Sequence, residues 1–272
     1  MGFSMGPLSL GEILDHAVRL LQARAVPLIK MGLVTCFPLL LIQETAAWYF
    51  NQLAAEPPEN VQVGVIAATI GLVAVVLVSQ IFVMPLIQGT FIAMTAAFYR
   101  GEELSGRPAL RDASRRYAAL LWTRILAAII LFFAYLALIV PGVILTYRYW
   151  VSTQVVMLEG LSGLAALRRS SQLMKSRMLQ GFVLSMVLAV LYMFIVGSAA
   201  MVVIPVLSQA ANAFMSLIGV ILGVTVGVVF YYALLCRHEG FDLARRLDAM
   251  ATRDEAASAI PAAIPLAPEA RA

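Results

Sequence analysis

The chain has 272 residues, of which 62% are hydrophobic and 12% charged, with a formal net charge of +4. Soluble domains are about 45–50% apolar and about 25% charged, and a globule of this size has too little interior to hide so much apolar surface. A soluble enzyme, a secreted disulfide scaffold and a disordered chain are excluded. The mean hydropathy of +0.91 predicts an all-α polytopic membrane protein.

Residues 1–30 carry Glu12, Asp15, Arg19, Arg24 and Lys30 at helical spacing, which interrupts the apolar run that a cleavable leader needs. Leu8–Arg24 reads instead as an interfacial helix. Ser9 and Glu12 form an S-x-x-E capping box. Leu10, Leu14, Ala17 and Leu21 share one face, and Asp15 and Arg19 form an i,i+4 pair on the other. Met31–Phe50 is long enough to span a bilayer, with Glu44 near its end beside Trp48 and Tyr49.

Val61–Tyr99 is uncharged over 39 residues. A straight helix of that length reaches roughly 58 Å, far more than a bilayer core. The reading is one span over 61–84, continuing past a bend at Pro85 into the interface. Arg107–Arg116 is a second interfacial helix, with Pro108 favourable in its first turn. Its arginines are most simply a determinant of topology, with specific lipid binding as the alternative.

Tyr117–Val140 is a third span. Arg124 lies near its polar end and can snorkel. Pro141-Gly142 signals a turn. Val143–Leu158 is a short fourth span holding Arg148. Leu161–Arg177 is a third interfacial helix, with Leu164, Leu167, Met174 and Met178 on one side and Arg169, Gln172 and Ser176 opposite. Met178–Cys236 is uncharged over 59 residues and fits two spans, 180–204 and 213–235, with a turn around Pro205–Asn212.

Charge tests the count of six. Of 19 Lys and Arg, only Arg124 and Arg148 fall inside the expected spans. The others lie in 1–30, 100–116, 159–177 and 237–271, whereas the three expected outer connections carry none. Six transmembrane helices with both termini cytoplasmic satisfy the positive-inside rule. The same rule explains the net positive charge, so nucleic acid is not a predicted partner. The order of interfacial helix plus hairpin occurs three times and suggests a threefold repeat. The integral membrane domain covers 1–250. An Ala/Pro-rich tail over 251–272, without an apolar period, reads as disordered.

Few residues can carry chemistry. Cys36 and Cys236 lie in separate apolar segments without a metal spacing and read as packing residues. There is no HExxH, P-loop or GxGxxG. No cofactor and no metal are predicted. Arg148 is an intramembrane charge and by default a functional hypothesis; the competing reading pairs it with an acid or with carbonyls freed near Pro141-Gly142. Glu12, Asp15, Glu239 and Asp242 are expected to face the same layer as Glu159, Arg168 and Arg169. They read either as a clasp between the chain ends and the Glu159–Ser170 segment, or as a site for anionic headgroups, because arginine forks suit phosphate.

Three stretches together carry a resemblance. Pro7-Leu-Ser-Leu-Gly-Glu-Ile-Leu-Asp15 precedes Ala17-Val-Arg-Leu20. Pro141-Gly-Val-Ile-Leu-Thr-Tyr-Arg148 precedes Leu158-Glu-Gly-Leu-Ser-Gly-Leu-Ala-Ala-Leu-Arg-Arg-Ser170. Tyr231-Tyr232 precedes Arg237-His-Glu-Gly-Phe-Asp-Leu243. Over residues 5–245 the chain resembles the glycerophosphoryl diester phosphodiesterase membrane domain family of bacteria. Where that family often has an acid after the tyrosines, this chain has Ala233-Leu-Leu-Cys236. The resemblance implies six helices in the bacterial plasma membrane. It does not carry catalysis, because the His-Arg-Gly motif of the phosphodiesterase barrel is missing: His16 is followed by Ala17, and His238 by Glu239. The expectation is a non-enzymatic membrane protein that organises lipid, through anionic headgroups, or a membrane or cytoplasmic protein partner. The alternative is a small transporter or lipid-handling protein with a polar cavity around Arg148.

Overall fold

The computed structural model describes residues 9–54, 62–175, 177–199 and 204–239, and every regular element among them is helical. The tail over 251–272 lies outside the described residues. The helices in chain order are α1 (Leu10–Thr35), α2 (Phe37–Ala54), α3 (Gln62–Val78), a π-helical segment (Ser79–Val83), α4 (Met84–Tyr99), α5 (Gly106–Arg115), α6 (Tyr117–Ala137), α7 (Ile139–Arg148), α8 (Ser152–Glu159), α9 (Gly163–Met174), α10 (Met178–Ala199) and α11 (Pro205–Glu239). Four helices are long and apolar enough to cross a membrane, and six crossings result if each of two bent pairs counts as one. The chain is therefore an all-α polytopic membrane protein.

Proline sets the bends. A proline removes one helical donor, and its ring presses on the carbonyl four residues earlier. Pro27 lies inside α1, and Arg24 leaves helical geometry at φ −131°, ψ 23°. Pro38 is the second residue of α2, and α1 and α2 meet at 54° around Cys36. The π-helical segment ends just before Pro85, and the crossing runs on as one helix over Thr69–Tyr99, past the expected end of the span at 84.

Two turns fall elsewhere than the sequence predicts. Pro141-Gly142 does not turn; it sits in the first turn of α7, where a missing donor costs nothing. The break is at Leu138, whose backbone is extended at φ −164°, ψ 145°. The fourth apolar stretch thus runs from Ile139 to Glu159, longer than the expected Val143–Leu158, with a break at Tyr149–Val151. Pro205–Asn212, expected as a turn, instead opens α11 for the same reason.

The interior is built around α11, which packs against α1, α2, α4 and α10. A glycine permits the closest approach: a Cβ on Gly32 would stand 2.5 Å from Leu217 Cδ1. Small residues serve helix contacts where lipid removes the hydrophobic drive. The interior is apolar with a few small hydroxyls, and large apolar side chains also cover the outside. Thr90, Thr95, Ser216 and Thr225 are buried, while Phe132, Leu136 and Ile139 are exposed. On α1 the buried face is Ile13, Ala17 and Leu20, flanked by Leu10, Leu14 and Leu21, so the apolar stripe is turned slightly from the expected one.

Candidate functional site: a polar layer and a polar cavity

A continuous polar layer joins the ends of several helices. The Glu159 carboxylate, at the end of α8, accepts from Tyr231 Oη at 2.7 Å and from Arg169 Nε at 3.0 Å. Tyr231 is buried on α11, and the ring of Tyr232 beside it stacks on Tyr99 at 5.2 Å. Tyr232 Oη accepts from Arg100 at 3.1 Å, and Arg100 also forks onto Glu102. That guanidinium holds the Glu102 carboxyl below the usual carboxylate range. Arg24, at the α1 kink, donates to Glu103 at 2.7 Å and lies over the Phe98 ring. Arg116 donates to the Val156 carbonyl at 3.3 Å beside Gly160, whose φ of +74° ends α8.

The expected site residues distribute as follows. Glu159 and Arg169 meet as a half-buried pair, so Arg169 does not belong to the solvated side of α9 where the periodicity put it. Arg168 is exposed, and so is Leu164, which was expected on the apolar side. Among the described residues, Glu12 and Asp15 have local partners. Glu12 accepts from the Ser9 N–H at 2.6 Å, completing the capping box. That backbone N–H holds its carboxyl below the usual range. Asp15 pairs with Arg19 at 2.9 Å. The side chain of Glu239 and all of Asp242 lie outside the described residues. Arg148 is in the last turn of α7, where a cation complements the helix dipole. Ser170 Oγ donates to its carbonyl at 2.7 Å, while its Nε is buried without a hydrogen-bond partner among the described residues.

On α5, Ala109 and Ala113 are buried against α4, where Gly89 leaves room for Ala113. Arg107, Arg111 and Arg115 are exposed on the opposite side at i, i+4, i+8. None of the three forms an ion pair among the described residues. The sequence reading singled out the cluster, and the structure resolves it into one stripe.

A cavity of about 460 Å³ lies between α6, the π-helical segment and the start of α8. Arg124, Gln80, Thr123, Ser152 and Thr153 bring polar groups to its wall. Arg148 does not line it; Arg124 brings the charge to a wall that is otherwise mainly apolar. Arg124 does not snorkel: Nη1 donates to Gln88 Oε1 on α4 at 2.9 Å. Sequence reasoning passed over Arg124 because it lies near a helix end. The signal that could have found it was the pair of glutamines, Gln80 and Gln88, inside an otherwise apolar run.

No group of three or more His, Cys, Asp or Glu stands together among the described residues. No protein-family model, no curated protein and no solved structure matches the chain. Fold and site together define a helical integral membrane protein with an exposed cationic stripe and one arginine-lined cavity between its helices.

Proposed function

We propose that the chain is a non-catalytic protein of the bacterial plasma membrane that organises anionic lipid at the cytoplasmic face, with both termini on that side. The observation that carries this reading is the α5 stripe. Its arginines are exposed and unpaired while its small residues are buried, which presents the helix flat to a headgroup layer. Arg168 on α9 and Lys175 just after it, both exposed, add to the same sign. Juxtamembrane basic residues contribute about 1 kcal/mol each at an anionic surface. The resemblance to the phosphodiesterase membrane domain family agrees with this location.

The test is lipid retention by the purified full chain, read by native mass spectrometry after reconstitution with equal phosphatidylglycerol and phosphatidylcholine. Preferential retention of phosphatidylglycerol is expected. Arg107→Gln, Arg111→Gln and Arg115→Gln together should weaken that preference by roughly 10²-fold on the per-residue figure above. Equal retention of both lipids by the unaltered chain overturns the reading. The second reading, a small lipid-handling protein or transporter, is favoured by the cavity at Arg124.

A further inference from the structure

We propose that the Arg124 cavity is a binding site for an oxyanion, carboxylate or phosphate, carried on an acyl chain. The inference does not depend on the α5 stripe. It begins with the guanidinium. Arginine has five N–H donors and stays charged in proteins. Gln88 takes one donor of Arg124, and no carboxylate pairs with it among the described residues. A cation inside a membrane-crossing helix is costly and is retained where it meets a partner or a ligand. Gln88 is neutral, so the charge is solvated on one side and uncompensated.

A second feature points the same way. Ser152 and Thr153 are the first two residues of α8, and both line the cavity. Their hydroxyls make no hydrogen bond among the described residues. The Ser152 N–H is already held by the Tyr149 carbonyl at 3.0 Å and that of Val155 by the Val151 carbonyl, so the partial positive charge of this helix start is offered by Thr153 and Gln154. Half-helix N-termini in broken membrane helices hold anionic groups in this way. Here α7 and α8 are the two halves of one apolar stretch, broken at Tyr149–Val151. The opposite wall is the π-helical segment, which supplies Gln80. Such segments concentrate at functional sites.

The remaining wall decides the ligand class. Ile125, Ala128, Ile129 and Leu131 continue the cavity along α6 as an apolar track. The volume falls in the range of about 300–1,000 Å³ usual for small-molecule sites. A headgroup at Arg124 and the α8 N-terminus, with its chain along α6, matches both halves of the lining. Free phosphate would use only the first half.

The experiment uses the full chain in a neutral maltoside. The probe is 9,10-dibromostearate, whose bromines quench tryptophan, and Trp150 lines the cavity. Saturable quenching is expected, displaced by oleate and by lysophosphatidylglycerol but not by millimolar inorganic phosphate. Displacement by phosphate at equal concentration assigns the site to a free oxyanion and overturns the acyl-chain assignment. Arg124→Gln should weaken the midpoint at least tenfold, and Arg124→Lys should restore part of it. If Arg124→Gln does not fold, Gln80→Leu and Thr153→Val decide by the same midpoint. An unchanged midpoint in a folded variant overturns the proposal, as does quenching that never saturates. The α5 triple variant should keep the unaltered midpoint, so loss of the lipid-surface reading and loss of this site are told apart.

Discussion

Tyr231 donates its phenolic hydrogen to Glu159 across 72 positions of sequence at 2.7 Å. That bond fixes the end of α8 to α11, and the same carboxylate receives Arg169 from α9. Three helices therefore meet at one acid. A hydrogen bond to a charged group contributes about 1.5–3 kcal/mol. Tyr231→Phe should lower the unfolding free energy in detergent by that amount while leaving helix content unchanged. Chemical denaturation followed by circular dichroism measures it. A loss within about 0.3 kcal/mol shows that Arg169 alone holds the acid.

Thr123 has a comparable but neutral role. Its hydroxyl accepts the Gly163 N–H at 2.8 Å in a buried setting. Gly163 itself has φ +57°, and an added Cβ would approach the Trp122 indole at 3.0 Å. Thr123→Val leaves that N–H unsatisfied and should cost roughly 1–3 kcal/mol. Thr123→Ser keeps the acceptor and should stay near the unaltered stability. Equal losses in both variants place the effect in packing of the methyl group.

The approach of α1 to α11 depends on Gly32 lacking a side chain. Gly32→Val should lower stability by about 1–3 kcal/mol through overpacking. Leu217→Ala makes room for it, so the double variant should lose less than the sum of the two single ones. Additive losses in thermal melts would show that the two positions do not press on each other.

Acid should weaken the Arg100–Glu102 pair. The folded-state pKa of Glu102 is depressed by the Arg100 hydrogen bonds. Its contribution is therefore complete above the unfolded-state pKa and is lost as pH falls through the lower folded-state value. Melting temperatures of the unaltered chain and of Glu102→Gln should differ at about pH 7, and the gap should shrink as pH falls below the ordinary glutamate value of about 4.3. A gap that stays constant across that interval removes the pair from the acid response.

Topology can be read from single cysteines, because Cys36 and Cys236 are buried. Arg168→Cys, exposed on α9, should label only from the cytoplasmic side in intact cells, and Glu56→Cys only from the other side. Labelling of position 168 from outside inverts the assignment on which the lipid reading rests.

The helical class, most of the helix cores and the capping box at Ser9 were legible because they are local: hydropathy over a window and a four-residue motif determine them. The turns were less legible. A proline followed by glycine looks the same whether it ends a helix or opens one, and Pro141 opens α7 after a break at Leu138. Of the expected clasp, Glu159 and Arg169 are found together, and the bonds that join them to α11 were not legible. Arg169 sits at a spacing that suits the solvated face until α11 delivers Tyr231 to the same carboxylate. Arg124 was undervalued for a related reason: its partner Gln88 lies on another helix, 36 positions away.

The π-helical turn has a consequence for the azimuth of everything after it. An α-helix advances about 100° per residue, so a turn holding one extra residue re-phases the rest of the helix by about that angle. Gln88 and the buried face of α4 point where they do only because Ser79–Val83 absorbs that residue. Removing one exposed position from it, such as Phe82, would let the turn close into plain α-helix with Gln88 still facing Arg124. The pairing of these two side chains therefore tolerates the loss of one residue there, whereas the gain of one would need a second wide turn to keep Gln88 facing Arg124.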